Sequence, residues 1–149
     1  MVTVLYADTS AVVGAYLTDE PEHVDLRSLL IDGGHLVLTS ELTRLEFASA
    51  ITAAKRVGRI PDAREFLHQF DHDSQVGAVL GIIPFAPRRI FPAARRLVIE
   101  NYPLRTLDAV HLAVAMNDTA ELTGGEPITV VTCDQRQAEA AKANGLAVL

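Results

Sequence analysis

Val2-Thr3-Val4-Leu5-Tyr6-Ala7-Asp8-Thr9-Ser10 opens the chain's first element and decides its class. The run from Val2 to Ala7 is apolar enough to read as a strand buried on both faces, as in a parallel sheet. Asp8 ends it, and Thr9 or Ser10 can cap a helix running to about Thr18. Working outward, the pattern repeats. Glu22 to Ile31 reads as a helix stopped by Gly33 and Gly34, and His35 to Leu38 as a short strand. Ser40 opens a long helical pattern that ends near Gly58, and Pro61 begins another. Val79 to Phe85 is a strand candidate. Arg88 to Glu100 is helical, with Pro92 implying a late start or a kink. Thr106 caps a helix from Leu107 to about Asn117, and Asp118 to Pro127 reads as a loop. Ile128 to Thr132 is a strand, Gln135 to Asn144 a helix stopped by Gly145, and Ala147 to Leu149 an edge strand. Strands alternating with helices predict an α/β fold with a mostly parallel sheet.

The chain has 149 residues, which predicts a single domain over 1–149. A chain of this length buries roughly 70% of its unfolded surface, so it needs no staples. With 49% hydrophobic and 21% charged residues, disorder and low-complexity architectures are excluded. One cysteine, Cys133, excludes a disulfide framework and a multi-cysteine zinc site, and it reads as a small buried residue. Met1 to Ala7 carry no basic leader, and no apolar stretch is long enough to span a membrane. A cytoplasmic protein is expected.

The net charge is −6. Taken alone, that argues against a nucleic-acid binder. The distribution qualifies it. Between Ala86 and Leu107 stand Arg88, Arg89, Arg95, Arg96 and Arg105 against Glu100, a local +4 that leaves −10 for the remainder. The arginines read either as a solvated helix face or as an anion-contacting patch, with Arg88, Arg89, Arg95 and Arg96 as candidate RNA contacts.

Four carboxylates fall where an α/β sheet gathers its ligands, beyond the carboxyl ends of its strands. Asp8 follows the first strand. Glu46 lies one or two turns into the helix after the second. Asp108 is in the first turn of Thr106-Leu107-Asp108-Ala109-Val110-His111. Asp134 follows Thr132. Each also has a structural role open to it. Asp8 and Asp134 can cap helices, Glu46 completes a capping-box pattern from Thr43, and Asp108 suits a helix's positive end. Together these roles explain less. Two carboxylates about 4 Å apart repel by about 4 kcal/mol at an effective dielectric of 20. A cluster of four calls for a cation, and oxygen ligands select hard ions such as Mg²⁺ or Mn²⁺. Such ions activate water and stabilise displacement at a phosphodiester. His111 reads as packed or hydrogen-bonded rather than ligating. His68 and His72 read as a solvated helix end. Walker and GxGxxG loops are missing from the sequence.

Tyr6-Ala7-Asp8-Thr9-Ser10-Ala11, Ser40-Glu41-Leu42-Thr43-Arg44-Leu45-Glu46, Leu107-Asp108-Ala109-Val110-His111-Leu112-Ala113 and Thr132-Cys133-Asp134-Gln135-Arg136 together resemble the successive motifs of PIN-domain nucleases. Within them, size and wording resemble the VapC-type toxins of bacterial toxin–antitoxin pairs. The resemblance implies a Rossmann-like three-layer α/β/α sandwich and a Mg²⁺- or Mn²⁺-dependent endoribonuclease. It implies that Asp8, Glu46, Asp108 and Asp134 form the acidic metal site, oriented by Thr9 or Ser10 and by Thr132. Its implied partners are an RNA substrate, a second copy in a homodimer, and a cognate antitoxin whose tail covers the site. The stretch from Asp108 to Asp134 is longer than is usual there, with Asp118 to Pro127 as the insertion. Two other readings stand beside it. One is a PIN-like domain that binds RNA or protein without cleaving. The other is a phosphatase with Asp8 as nucleophile, which would want a second aspartate at position 10, where Ser10 stands.

Overall fold

Leu5, Tyr6 and Ala7 are all fully buried, yet they face opposite ways. Leu5 and Ala7 belong to one apolar cluster and Tyr6 to another. Successive strand residues point to opposite faces, so this strand lies inside a sandwich. The computed structural model describes residues 3–149. Val2, expected to open the strand, lies outside the described residues.

The elements are β1 (Val4–Ala7), α1 (Thr9–Tyr16), α2 (His23–Leu30), β2 (Leu36–Ser40), α3 (Leu42–Arg56), α4 (Arg64–Asp73) and β3 (Leu80–Ile83), then α5 (Pro87–Glu100), α6 (Thr106–Asn117), α7 (Ala120–Thr123), β4 (Ile128–Val131), α8 (Gln135–Ala143) and β5 (Ala147–Val148). The five strands align as β3-β2-β1-β4-β5, and all their pairings are parallel. One apolar cluster packs α1 to α4 on one face. The other packs α5, α6 and α8 on the opposite face. This is the expected α/β/α sandwich, with a sheet parallel throughout rather than mostly.

Local chemistry explains where the boundaries moved. Asp8, not Thr9 or Ser10, caps α1, its side chain accepting from the Ala11 amide. Ser40 ends β2 instead of opening α3, although its Oγ still accepts from the Leu42 amide at 3.1 Å. The capping box at Thr43 does not form. Glu41 occupies the cap, and the Thr43 hydroxyl bonds Thr39 Oγ1 at 2.7 Å in the interior. Pro61 does not start α4, which begins at Arg64, whose backbone N–H donates to Asp62 Oδ1. Thr106 lies inside α6, and the cap position is Arg105. α5 starts at Pro87 and runs through Pro92 rather than starting late. The expected loop from Asp118 to Pro127 contains α7, stopped by Gly124 at φ 64°. Gly81 sits within β3 because a Cβ there would come within 2.8 Å of the Leu38 side chain on β2.

Candidate active site

The strand order reverses its direction of winding between β1 and β4, and the crevice beyond their carboxyl ends is where such sheets bind ligands. The register sets Ala7 opposite Val131, so Asp8 meets the turn Thr132-Cys133-Asp134. Asp8 is 2% exposed. Its Oδ1 accepts from Ser10 Oγ at 2.6 Å and from the Ala11 amide at 3.1 Å. Its Oδ2 accepts from Thr132 Oγ1 at 2.5 Å. Burial pushes this carboxyl up, and the same hydrogen bonds oppose that rise. The two hydroxyls also receive amides from the turn: Cys133 N donates to Ser10 Oγ, and Asp134 N to Thr132 Oγ1. Ser10 and Thr132 therefore fasten Asp8 to the turn that carries Asp134. Asp134 in turn caps α8, its Oδ1 accepting from the Arg136 and Gln137 amides at 2.8 and 3.2 Å.

Glu46 stands in the second turn of α3 and is held from two sides. Its Oε1 accepts from Thr9 Oγ1 at 2.7 Å and from His111 Nε2 at 2.6 Å. Burial opposes its ionisation, but the His111 and Thr9 bonds prevail and hold the carboxyl below its ordinary value. His111 is buried, and its Nδ1 lies 2.8 Å from the Tyr6 hydroxyl. The sequence reading missed Tyr6 as the partner of His111, and took His111 only as packed or hydrogen-bonded. Local spacing places each residue beside a carboxylate but does not show the bond between them. Tyr6 precedes Asp8 by two along a strand, and His111 follows Asp108 by three along a helix, so each stands on its carboxylate's side.

Asp108 differs from the other three. It sits in the first turn of α6, half-buried, and among the described residues no hydrogen bond to its carboxyl occurs. Burial, then the charges of Asp134, Asp8 and Glu46, push it up to about 6 despite His111 nearby. The other three carboxylates thus all act on Asp108. As they lie, among the described residues no three acidic, histidine or cysteine groups stand close enough to hold one ion. Three of the four are drawn aside by their own donors.

A cleft of about 550 Å³ opens beside Thr9, Ser10 and Glu46, with an apolar wall that includes Val13, Ala50 and Leu107. Cys133 lines it and is exposed, not buried as expected, because it tops the turn after β4. Although the residue is exposed, its sulfur is partly shielded, and that desolvation together with its bond to Glu22 pushes the thiol up to about 12, which keeps it protonated. Arg88, Arg89, Arg95 and Arg96 are exposed along α5. Arg89 is committed elsewhere, its Nε donating to Asp118 at 2.9 Å. Asp118 lies ten residues past Asp108, about 15 Å along the helix axis. Among the described residues, Arg88, Arg95 and Arg96 pair with no carboxylate. His68 and His72 are exposed, as expected of a helix end.

The PIN domain family model matches residues 5–143. The chain belongs to the PIN-domain family. Among its relatives it is 33% identical over 150 residues to ribonuclease VapC35 of Mycobacterium tuberculosis, covering 97% of this chain and 95% of that one. It is also 33% identical over 135 residues to ribonuclease VapC47 of the same organism, covering 89% and 85%. The crystal structure of PAE2754 from Pyrobaculum aerophilum shares the fold, with a TM-score of 0.64 at 20% identity over 99% of this chain and 92% of that one.

Proposed function

We propose that this chain is a Mg²⁺- or Mn²⁺-dependent endoribonuclease that hydrolyses RNA phosphodiesters, and that it acts as the toxin of a toxin–antitoxin pair. The observation that carries the reading is Asp108. Among the described residues its carboxyl has no donor, and half-burial first, then the charges of Asp134, Asp8 and Glu46, push it up. That arrangement is unfavourable for a purely structural cluster and suits a hard cation. The donor set agrees, because it is carboxylate oxygen throughout and the neighbouring Cys133 thiol stays protonated.

Asp8 and Asp108 would hold the ion, with Glu46 and Asp134 completing the pocket or serving a second ion. A hard divalent ion there supplies a water of lowered pKa and neutralises charge at a phosphate. The protein's own contribution is placement. Ser10 and Thr132 keep Asp8 fixed and fully hydrogen-bonded in a nearly dry position. Thr9 orients Glu46. The cleft's apolar wall receives the sugar or base next to the scissile phosphate, and Arg88, Arg95 and Arg96 lie free to meet flanking backbone. Two VapC ribonucleases among the relatives support the RNA substrate and a cognate antitoxin, and we take that antitoxin's tail to cover the cleft. We take the working form to be a cytoplasmic homodimer. Among the described residues no helix is long and apolar enough to cross a membrane.

The test is cleavage of total cellular RNA by antitoxin-free protein, comparing Mg²⁺ or Mn²⁺ with chelator and wild type with Asp108→Asn. Discrete fragments that need both metal and Asp108 are expected. Equal activity in the variant would sink the proposed site. RNA binding without any cleavage would favour a non-catalytic PIN-like domain instead.

A further inference from the structure

The elements that bear Asp8 and Asp108 also carry a buried polar chain that ends on Glu46. Tyr6 on β1 is fully buried, as is His111 on α6 at 1% exposure. The Tyr6 hydroxyl lies 2.8 Å from His111 Nδ1, and the two rings meet edge to face. On the other side of the imidazole, Nε2 lies 2.6 Å from Glu46 Oε1 and 3.2 Å from Thr9 Oγ1. An ionised carboxylate only accepts, so the 2.6 Å contact requires a proton on Nε2. In the neutral ring Nδ1 then lacks a proton and accepts the Tyr6 O–H. The Tyr6 hydroxyl and both ring nitrogens are thereby used, as a buried network requires. Glu46 itself sits on α3, a separate helix that lines the cleft, and it has two donors, Thr9 and His111.

We propose that His111, anchored by the Tyr6 hydroxyl, is a positioning residue that aims the Glu46 carboxylate into the site, and that the reaction depends on it although it touches neither RNA nor ion. The inference rests on the metal-dependent nuclease reading above. Groups that orient ligating side chains are worth about 10- to 100-fold in metal affinity or activity. Without His111, Glu46 keeps only the Thr9 hydroxyl and swings toward solvent.

The experiment compares wild type with His111→Leu, His111→Gln and Tyr6→Phe. Gln returns an N–H donor near the Nε2 position, whereas Leu does not. His111→Leu is expected to weaken Mn²⁺ binding, followed by electron paramagnetic resonance without RNA, by about 10- to 100-fold. Its kcat falls in step, while KM for RNA stays within about twofold. His111→Gln recovers most of the loss, and Tyr6→Phe shows a smaller loss of several-fold. In the metal-free protein, the ¹³C resonance of the Glu46 carboxyl shifts in His111→Leu and returns toward wild type in His111→Gln. An unmoved Glu46 resonance, or unchanged Mn²⁺ affinity in His111→Leu, overturns the proposal. If His111→Leu does not fold, unchanged Mn²⁺ affinity and an unmoved Glu46 resonance in Tyr6→Phe overturn it equally. If the Glu46 resonance responds while wild type neither binds Mn²⁺ nor cuts RNA, the nuclease reading fails and the positioning of Glu46 stands.

Discussion

Replacing Asp108 by Asn should make the metal-free protein more stable at neutral pH. Burial and three neighbouring carboxylates raise the Asp108 carboxyl from 3.8 to about 6. Each pKa unit corresponds to about 1.4 kcal/mol, so the full shift is worth about 3 kcal/mol. The side chain is only half-buried, and solvent screening reduces that to about 1–2 kcal/mol. The sign follows from linkage. The folded state holds this proton more tightly than the unfolded state. Below about pH 4 both states are protonated and nothing is lost. As pH rises from about 4 to about 6 the unfolded chain ionises first, and stability falls; above about 6 the loss is complete. Asn is nearly isosteric and carries no charge, so at pH 7.5 in chelator the variant should gain about 1–2 kcal/mol. For a chain of this size that is about 2–8 °C in Tm. The gain should vanish by pH 4. Saturating Mn²⁺ should reverse the order, because a ligand present at 100 times its Kd adds about 2.7 kcal/mol to the protein that binds it. Urea titrations at pH 4, 5, 6 and 7.5, with chelator or Mn²⁺, measure all of this. A variant no more stable than wild type at pH 7.5, or a difference that persists unchanged at pH 4, would refute the electrostatic account of the site.

Other outcomes are expected from the same geometry. Phe47 is fully buried, stacks on Phe70 at 4.5 Å between ring centroids, and meets Tyr16 edge-on. Phe47→Ala should therefore lower stability by about 3–5 kcal/mol in denaturant titration. The Cys133 thiol, held near 12 by burial and Glu22, should react with iodoacetamide at pH 8 at least about 100-fold more slowly than a free thiol, and Glu22→Gln should speed it. Arg95→Glu with Arg96→Glu should weaken RNA binding and flatten its salt dependence. Arg89→Ala should leave that dependence unchanged, since Arg89 is paired with Asp118.

Residues whose neighbours in sequence are also their neighbours in space were legible. Asp8 and Asp134 each end a strand and begin a helix, so both their caps and their place at the sheet's carboxyl edge follow from local pattern. Asp108 in the first turn of α6 is legible for the same reason. What failed depended on distant partners. The Thr43 capping box lost to Thr39, four residues away in sequence but held on β2, where its Oγ1 also donates to the Ala7 carbonyl at 2.7 Å. Cys133 looked buried by residue type, yet its position at a turn apex decided its exposure. The Tyr6–His111 bond joins residues 105 apart, and no periodicity within either element encodes it.

Hydrogen bonds to its members account for how the acidic cluster keeps its shape. A free carboxylate near three others would turn toward water and relax the repulsion. Here Asp8 cannot turn, because β1 is buried on both faces and Ser10, Ala11 and Thr132 occupy its oxygens. Asp134 is tied to the amides of α8, and Glu46 to His111 and Thr9. Repulsion therefore adds to burial at Asp108, the carboxylate without a donor among the described residues, and appears there as a raised pKa rather than as disorder of the cluster. Strong local bonds on three carboxylates leave the fourth as the one that the proposed cation would neutralise. By this reasoning, removing the donors of Asp8 should relieve Asp108. Thr132→Val would let Asp8 rise further and share the proton, and the Asp108 carboxyl, followed by ¹³C resonance, should then titrate at lower pH. An unchanged or higher Asp108 titration in Thr132→Val would show that burial alone, and not the fixed neighbours, sets its value.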